Sequence, residues 1–298
     1  MGLGSERADT RVIPVTDPIP NPKSLITRFA PAPTGYLHLG HVLNAIYVWS
    51  TARARGPDAR VLLRIEDHDR ARCRPEFEVA LLADLRWLGF VADGDLTRQS
   101  ERGVLYERAL DDLRTRGLTY ACECSRADIA SGRYPGTCRD KRLPESPGRG
   151  IRVRLDPTVE RFDDVRLGPQ EQRPSEQCGD LLARDRYGNW TYQFAVVVDD
   201  WQQDVNLVIR GEDLLDSTGR QIQLARLLGR EHPPAFLHHE LLMKTASQKL
   251  SKSDGDTGVR DLRAKGWSVE QVIAAARAYR SRQYFSSISS ISSSLNPK

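Results

Sequence analysis

Apolar residues in the first 118 positions alternate between short continuous runs and helical spacing. Leu25–Ala30 and Val61–Ile65 are short apolar runs, as expected of buried strands. Each run is followed by segments with an apolar residue every three or four positions, and a glycine ends each of these segments. The alternation of strands and helices predicts an α/β fold with a parallel sheet.

The pattern changes after residue 118. Residues 139–150 form a basic Pro/Gly-rich loop, Ile151–Leu155 alternates like an exposed strand, and residues 156–179 are polar and irregular. The sheet pattern is expected to resume near Leu181, with Thr191–Asp200 and Asn206–Arg210 as further strands. Helices are predicted over Ser217–Leu228 and after a cap at Ser268.

These shifts divide the chain into six predicted parts. Between two polar ends, the chain contains the two halves of one catalytic-type fold, an insert that separates these halves, and a short helical part. The parts are a flexible segment 1–23, a first half 24–118, an insert 119–180, a second half 181–240, a helical part 241–280, and a disordered Ser-rich tail 281–298.

The stretch from Arg28 to His41 links the first strand to the first helix. Its prolines and Gly35 impose a tight turn. His38 and His41 then lie near the helix start, one turn apart on one face. Backbone N–H groups and the helix dipole favour phosphate there, and two imidazoles can donate hydrogen bonds to it. Taken alone, the stretch fits exposed capping histidines equally well.

A second motif, Lys249-Leu-Ser-Lys-Ser253, lies far downstream and alone is typical of a solvated basic loop. Together and in this order, the two motifs resemble the His-Ile-Gly-His and Lys-Met-Ser-Lys-Ser signatures of class I aminoacyl-tRNA synthetases. The surrounding Arg-Phe-Ala-Pro-Ala-Pro-Thr-Gly narrows the resemblance to the glutamyl branch. The resemblance covers about residues 25–280 and implies the Rossmann-type catalytic fold of that class.

The resemblance implies that ATP, with Mg²⁺, is a substrate. His38, His41 and Lys252 would be the catalytic residues, offsetting charge that develops on the phosphates. The implied ATP-binding set adds the neighbouring positions of both motifs: His38, Gly40, His41, Lys249, Ser251 and Lys252.

Charged residues follow two of the predicted strands. Glu66 and its neighbours follow Val61–Ile65, and Arg210 ends a later strand, where ligands bind in open α/β sheets. By periodicity alone, Glu66 belongs to a charged loop, Arg210 is an ion-pair partner and Tyr192 is a core aromatic residue.

The family pattern gives these residues other roles. Glu66 would hold the α-ammonium of glutamate, Tyr192 would help enclose the substrate, and Arg210 would bind its side-chain carboxylate through a bidentate fork. The implied glutamate-binding set is Arg28, Phe29, Ala30, Pro31, Ala32, Glu66, Tyr192 and Arg210.

Three of the five cysteines lie within 17 residues, between Cys122 and Cys138. Their clustering favours a metal over buried or incidental thiols, but zinc needs four ligands and no histidine is near. The shortened glutamyl-synthetase paralogues, the glutamyl-queuosine tRNA(Asp) synthetases, carry zinc here, and the resemblance implies one structural Zn²⁺ on Cys122, Cys124, Tyr134 and Cys138. Cys178 is an alternative fourth ligand and Cys73 a remote one.

The amino-acid composition narrows the possible partners and the location of the protein only slightly. The chain has 298 residues and a formal net charge of +4, which permits a polyanionic partner. No apolar signal region or membrane-spanning run is present, so a cytoplasmic protein without a membrane partner is expected, as a monomer.

The chain leaves no room for the helical anticodon-binding region of full-length glutamyl-tRNA synthetases. We therefore expect the activity of the shortened paralogues, which use L-glutamate, ATP and tRNA(Asp) carrying queuosine. Two alternatives stay open: a truncated synthetase that charges tRNA(Glu), and a non-catalytic paralogue that binds tRNA or a synthetase.

Overall fold

The computed structural model describes residues 24–125, 127–129, 132–242 and 258–278. The predicted N-terminal segment 1–23, the lysine motif with Lys249, Ser251 and Lys252, and the predicted tail 281–298 lie outside these residues. In the described part, no helix combines the length and the apolar character that crossing a membrane requires.

The first half contains three parallel strands linked by helices, as predicted. The strands are β1 (Ile26–Phe29), β2 (Arg60–Ile65) and β3 (Thr97–Arg98). The helices are α1 (Leu39–Arg55), α2 (Pro75–Trp87) and α3 (Gly103–Thr115). A large core cluster packs between α1 and these strands and includes Phe29, Trp49 and Ile65.

A four-stranded sheet beside the first combines two strands from the end of the insert with two strands of the second half. Its strand order is β7-β6-β10-β9, where β6 is Glu160–Asp164, β7 is Gly168–Gln172, β9 is Leu207–Gly211 and β10 is Ala235–His239. β9 and β10 are parallel. Asn206 joins the two sheets, because its backbone N–H donates to Ile26 O and its Oδ1 accepts the Ile26 N–H, both at 2.9 Å. The strand ends of both halves therefore meet along one edge.

The inserted part contains an antiparallel sheet of β4 (Thr119–Cys122), β5 (Gly150–Val153) and β8 (Leu181–Arg184). Two predictions are wrong here. β5 is buried at all four positions, because a strand covers each of its edges and side chains pack on it. β8 pairs with β5 and so does not resume the parallel sheet at Leu181.

Residues 156–179, predicted to be irregular, contain β6 (Glu160–Asp164), β7 (Gly168–Gln172) and the short helix α4 (Pro174–Gln177). β6 pairs in parallel with β10, and β7 closes an antiparallel hairpin at the sheet edge. Many side chains of an edge hairpin face solvent, so the apolar pattern that predicts strands is weak there.

The segment after Thr191 is the helix α5 (Tyr192–Gln202), so the predicted strand over Thr191–Asp200 is wrong. Every residue from Phe194 to Asp200 is buried. A helix buried on all sides lacks a polar face, and its run of valines is then indistinguishable from a strand by periodicity.

Two of the remaining helices agree with prediction: α6 (Thr218–Leu227) and a last helical stretch over 269–278. The short helix α7 (Val259–Ala264) lies between them in the chain and is not among the predicted helices. The cap predicted at Ser268 is confirmed: Ser268 Oγ accepts the Gln271 N–H at 3.3 Å, and Gln271 Oε1 accepts the Ser268 N–H at 2.8 Å.

Candidate active site

The turn between β1 and α1 places both predicted histidines at the helix start. His38 is the N-cap residue, and its Nδ1 accepts the Gly40 N–H at 3.0 Å. His41 Nδ1 accepts the His38 N–H at 3.2 Å, and the two ring centroids lie 3.9 Å apart. The capping and the shared face that the sequence predicted are therefore both present.

Gly40 is needed for this arrangement. A Cβ atom at residue 40 would lie 2.8 Å from His38 Cε1, closer than side-chain contacts allow. Any larger residue would push the capping imidazole away from the helix N-terminus, where backbone N–H groups favour phosphate.

A cavity of about 580 Å³ opens beside the two histidines. His239 and Glu240 line this cavity, and Tyr47 supports both: its ring stacks on His239 with centroids 4.9 Å apart, and its hydroxyl donates to Glu240 at 2.9 Å. The residues around it come from the β1–α1 turn, α1 and the segments after β9 and β10, and include Ala30, Pro31, Ala32, His38, Gly40, His41, Gly211, His239 and Glu240. Its volume is within the range of pockets that bind small molecules.

The two described ends of the lysine segment both lie beside these histidines. Leu242 lines the cavity, and Gly258 forms a β-bridge with His38. The Val259 N–H donates to Leu37 O at 2.7 Å, which fixes the start of α7 against the same turn. The segment between Leu242 and Gly258 therefore begins and ends at the cavity.

Two buried arginines next to this turn share one carboxylate. Arg28 Nε and Arg64 Nη2 contact Asp200 Oδ1 at 3.0 and 2.8 Å. Burial alone would raise the pKa of Asp200, but the two guanidinium groups outweigh burial and lower it. Arg64 Nε also lies 3.7 Å from Asp199, so each of the two arginines has a carboxylate partner inside the protein.

Glu66 faces the same cluster but is weakly paired. Its Oε1 lies 3.5 Å from Arg64 Nη2, and its backbone N–H donates to Pro31 O at 3.1 Å. Burial raises the pKa of Glu66, and the attraction of Arg64 and Arg28 only partly opposes that rise. A cationic ligand group would complete the pairing of this carboxylate.

Arg210 is the third buried arginine, and it differs from the other two. Its guanidinium donates to neutral acceptors: His238 Nε2 at 3.0 Å, Gln221 Oε1 at 2.6 Å and Thr218 Oγ1 at 2.8 Å. Among the described residues, no carboxylate forms an ion pair with it. Burial lowers the pKa of Arg210. A buried cation without a counter-ion fits an anionic ligand group.

Tyr192 is the fourth predicted glutamate-binding side chain that lies near this cluster. It is the first residue of α5, and burial raises the pKa of its phenol; Arg210, Glu66 and Arg28 are near enough to influence that pKa electrostatically. The fold thus collects Arg28, Glu66, Tyr192 and Arg210 from four elements. Phe29 differs, because its ring packs into the core against Trp49, with centroids 5.5 Å apart.

Sequence reasoning missed the residues that support this cluster, namely Arg64, Asp200 and His238. One signal was visible, since Arg64 interrupts an otherwise apolar strand and is fully buried. A charged residue within a buried strand needs a buried partner. Asp200 could not be assigned as that partner while its segment was interpreted as a strand.

The three clustered thiols lie together in the insert. The Sγ atoms of Cys122, Cys124 and Cys138 are all within 4.8 Å of one another, and those of Cys124 and Cys138 are 3.6 Å apart. The Tyr134 hydroxyl is 3.6 Å from Cys122 Sγ and accepts the Cys138 N–H at 2.8 Å. Sulfur ligands of a tetrahedral zinc ion are roughly 3.8 Å apart, so the donor set fits that metal.

The other two cysteines stay outside this group. Cys178 Sγ donates to Pro174 O at 3.0 Å, and Cys73 Sγ contacts Glu66 O at 3.8 Å. The backbone around Cys178 instead supports Tyr134, whose N–H donates to Cys178 O at 3.0 Å. Gly179 has a φ of +69°, and a Cβ there would lie 2.1 Å from Tyr134 O, so only glycine fits beside the tyrosine.

Comparison of the sequence with known protein families places the chain in a family whose class was expected from its two motifs. Residues 24–283 match the family model described as tRNA synthetases class I (E and Q), catalytic domain, and the chain belongs to this class. Within the class, the chain belongs to the glutamyl-Q tRNA(Asp) synthetases, as its curated relatives show. The Rhodobacter capsulatus relative of that name is 42% identical over 82% of this chain and 96% of its own length.

A second curated relative and a solved structure are also similar to this chain. The glutamyl-Q tRNA(Asp) synthetase of Nocardia farcinica is 41% identical over 83% of this chain and 82% of its own. A glutamate tRNA ligase from Elizabethkingia meningosepticum, crystallised with its amino acid, is 28% identical with a TM-score of 0.68. That match covers 78% of this chain and 52% of the ligase, so the chain spans about half of the ligase.

We expect Asp200→Asn to lower the free energy of unfolding by about 3 kcal/mol, because Arg28 and Arg64 lose a shared buried carboxylate. Urea denaturation followed by circular dichroism measures the change. Asp69→Asn is the matched control, since it removes an exposed pair with Arg72 and should cost less than about 1 kcal/mol. Equal losses in the two variants would contradict the importance of the Asp200 pairing.

Proposed function

We propose that the chain activates L-glutamate with ATP and transfers it to the queuosine base in the anticodon of tRNA(Asp). The class of the chain and the name shared by its curated relatives support this assignment. The chain is then a ligase that forms an aminoacyl ester on tRNA.

The observation that carries the glutamate assignment is the unpaired charge of Arg210. Its side chain is buried, 4% exposed, and its hydrogen-bond acceptors in the described chain are neutral. A substrate carboxylate would supply the missing counter-ion through a bidentate fork. Glutamine presents a neutral amide and would leave the buried cation uncompensated, so the site should select glutamate.

The rest of the amino acid fits the neighbouring groups. Glu66 would bind the α-ammonium, since its one ion pair, with Arg64 at 3.5 Å, is long and leaves this buried carboxylate weakly compensated. Tyr192 would cover the substrate, and Arg28, held by Asp200, would add positive potential near the carboxylates. The turn Phe29–Ala32 would contribute mainly backbone groups and the walls of the cavity.

ATP would occupy the cavity at the start of α1. His38, Gly40 and His41 would receive the phosphates there. Lys249, Ser251 and Lys252 would approach from the segment that begins and ends at the cavity, with Lys252 acting on the phosphates. Mg²⁺ bound to ATP would offset phosphate charge.

The chemistry is then two displacements. An oxygen of the glutamate α-carboxylate attacks the α-phosphorus of ATP in line, and pyrophosphate leaves. His38, His41 and Lys252 stabilise the charge that develops, while the amino-acid site holds the carboxylate in position. A hydroxyl of the queuosine cyclopentenediol next attacks the carbonyl of the glutamyl-adenylate, and AMP leaves.

The insert would hold one structural zinc ion through Cys122, Cys124, Cys138 and the Tyr134 oxygen. The spacing of these four donors supports the assignment. All four positions belong to the protein, so the metal would stabilise the fold of the insert without taking part in the reaction.

We expect about one zinc ion per purified chain, and loss of that zinc in Cys138→Ala, because three donors bind zinc far more weakly than four. Inductively coupled plasma mass spectrometry measures the content. Cys178→Ala is the matched control and should keep its zinc, since Cys178 lies outside the thiol group. Full zinc content in Cys138→Ala would exclude the proposed site.

The acceptor is tested by incubating labelled glutamate and ATP with three RNAs: tRNA(Asp) with queuosine, tRNA(Asp) without it, and tRNA(Glu). We expect label only on the first, and label that persists after the terminal adenosine is removed. Label on tRNA(Glu) would instead indicate an ordinary synthetase. A folded protein that labels none of the three would indicate a binding paralogue.

We expect Arg210→Ala to raise the KM for glutamate at least about a hundredfold, because a charged hydrogen-bonded pair is lost. Glutamate-dependent pyrophosphate exchange measures this, and the KM for ATP should change little. Arg210→Lys keeps the positive charge but lacks the guanidinium fork. Its KM for glutamate should therefore lie between those of Arg210→Ala and the native protein. An unchanged glutamate KM in Arg210→Ala would remove Arg210 from the site.

A further inference from the structure

A row of three polar side chains crosses the sheet behind the proposed glutamate site. Asp164, His238 and Arg210 lie on the neighbouring strands β6, β10 and β9, and His238 is directly opposite Arg210 in the strand register. All three are buried, with His238 at 0% exposure. Polar groups at such depth are retained only when their hydrogen bonds are satisfied.

Asp164 fixes the tautomer of His238. Asp164 Oδ2 accepts the His238 backbone N–H at 3.0 Å and lies 2.7 Å from His238 Nδ1. Because a carboxylate only accepts, Nδ1 carries the proton. Asp164 is itself held through Oδ1, which accepts the backbone N–H groups of Arg166 and Leu167 at 3.0 and 2.9 Å.

The opposite nitrogen of the imidazole then faces Arg210 as an acceptor. His238 Nε2 accepts the Arg210 Nε–H at 3.0 Å, while Gln221 and Thr218 accept from the two terminal nitrogens. The Arg210 guanidinium is therefore restrained at all three nitrogens, and every restraining group is neutral. Such a cage fixes the plane of the fork but leaves its charge for a ligand.

We propose that His238, supported by Asp164, is a positioning residue for substrate selection: it orients the Arg210 fork and keeps the guanidinium uncompensated until a carboxylate binds. This proposal rests on the proposed function, in which Arg210 binds the side-chain carboxylate of glutamate. An aspartate or glutamate in place of His238 would neutralise Arg210 from within and abolish its demand for an anion.

The proposal requires a neutral imidazole at working pH. The charged groups that face His238 are Asp164 and Arg166 from the β6 side and Arg210 from β9; α6 presents only the Thr218 hydroxyl. Burial lowers the pKa of His238, and Arg210 and Arg166 add to that effect against Asp164. Protonation at low pH would turn Nε2 into a donor against the guanidinium.

Two variants of His238 separate its contact with Asp164 from its contact with Arg210. His238→Asn keeps a donor for Asp164 but has no atom that reaches Arg210, whereas His238→Gln places an amide oxygen near the former Nε2. We expect His238→Asn to raise the glutamate KM about tenfold or more, with little change in kcat or in the KM for ATP, and His238→Gln to restore much of the loss. The readout is glutamate-dependent pyrophosphate exchange.

The pH dependence of kcat/KM for glutamate provides a second readout, which would not change if His238 had only a structural role. In the native protein, kcat/KM for glutamate should fall as the pH drops below the lowered pKa of His238, because protonated Nε2 no longer accepts the Arg210 hydrogen bond. His238→Gln cannot protonate in this range and should lack this limb. Identical profiles for the two proteins, or equal KM values for His238→Asn and the native protein, would overturn the proposal.

The outcomes also distinguish this proposal from the proposed function. If Arg210→Ala raises the glutamate KM and His238→Asn does not, Arg210 binds the substrate without help from His238. If neither variant changes that KM, the assignment of Arg210 itself is wrong. Discrimination against glutamine should weaken in His238→Asn, and thermal denaturation should show that both His238 variants are folded.

Discussion

Burial of positive charge is the constraint on which the rest of the site depends. Arg28, Arg64 and Arg210 are all at most 4% exposed, and a guanidinium cannot lose its proton to escape the cost of burial. The fold resolves this cost in two ways: Asp200 pairs with the first two arginines, whereas Arg210 receives only neutral acceptors. The difference separates a structural ion cluster from the arginine that we propose binds an anionic ligand group.

The parallel sheets explain how distant residues reach this site. Arg28, Glu66 and Arg210 lie at or just beyond the carboxyl ends of β1, β2 and β9, and these ends share one edge because Asn206 joins the two halves. Helix α1 begins at the same edge and turns its N-terminus toward the cavity. Ligand sites in open α/β sheets lie at such edges, so the proposed nucleotide and amino-acid sites are adjacent by topology.

Local chemistry was predictable from the sequence and long-range pairing was not. His38 and His41 could be assigned as a cap because the signal spans a few residues. Asp164 and His238 are 74 residues apart, and Asp164 belongs to a polar hairpin without a clear strand pattern. α5 was interpreted as a strand because full burial removes the amphipathic period. Both errors concealed groups that stand behind the proposed substrate residues.

The β6–β7 hairpin links the inserted part to the proposed substrate residue Arg210. β6 lies at the end of the insert but pairs with β10, and it carries Asp164 beneath His238. Arg166 continues the connection, donating from Nε to His238 O, so the same short segment holds both the side chain and the backbone of the histidine. An edge hairpin with little apolar content contributes modestly to the core. Its position is explained better by the orientation it imposes on Arg210 through His238 than by packing.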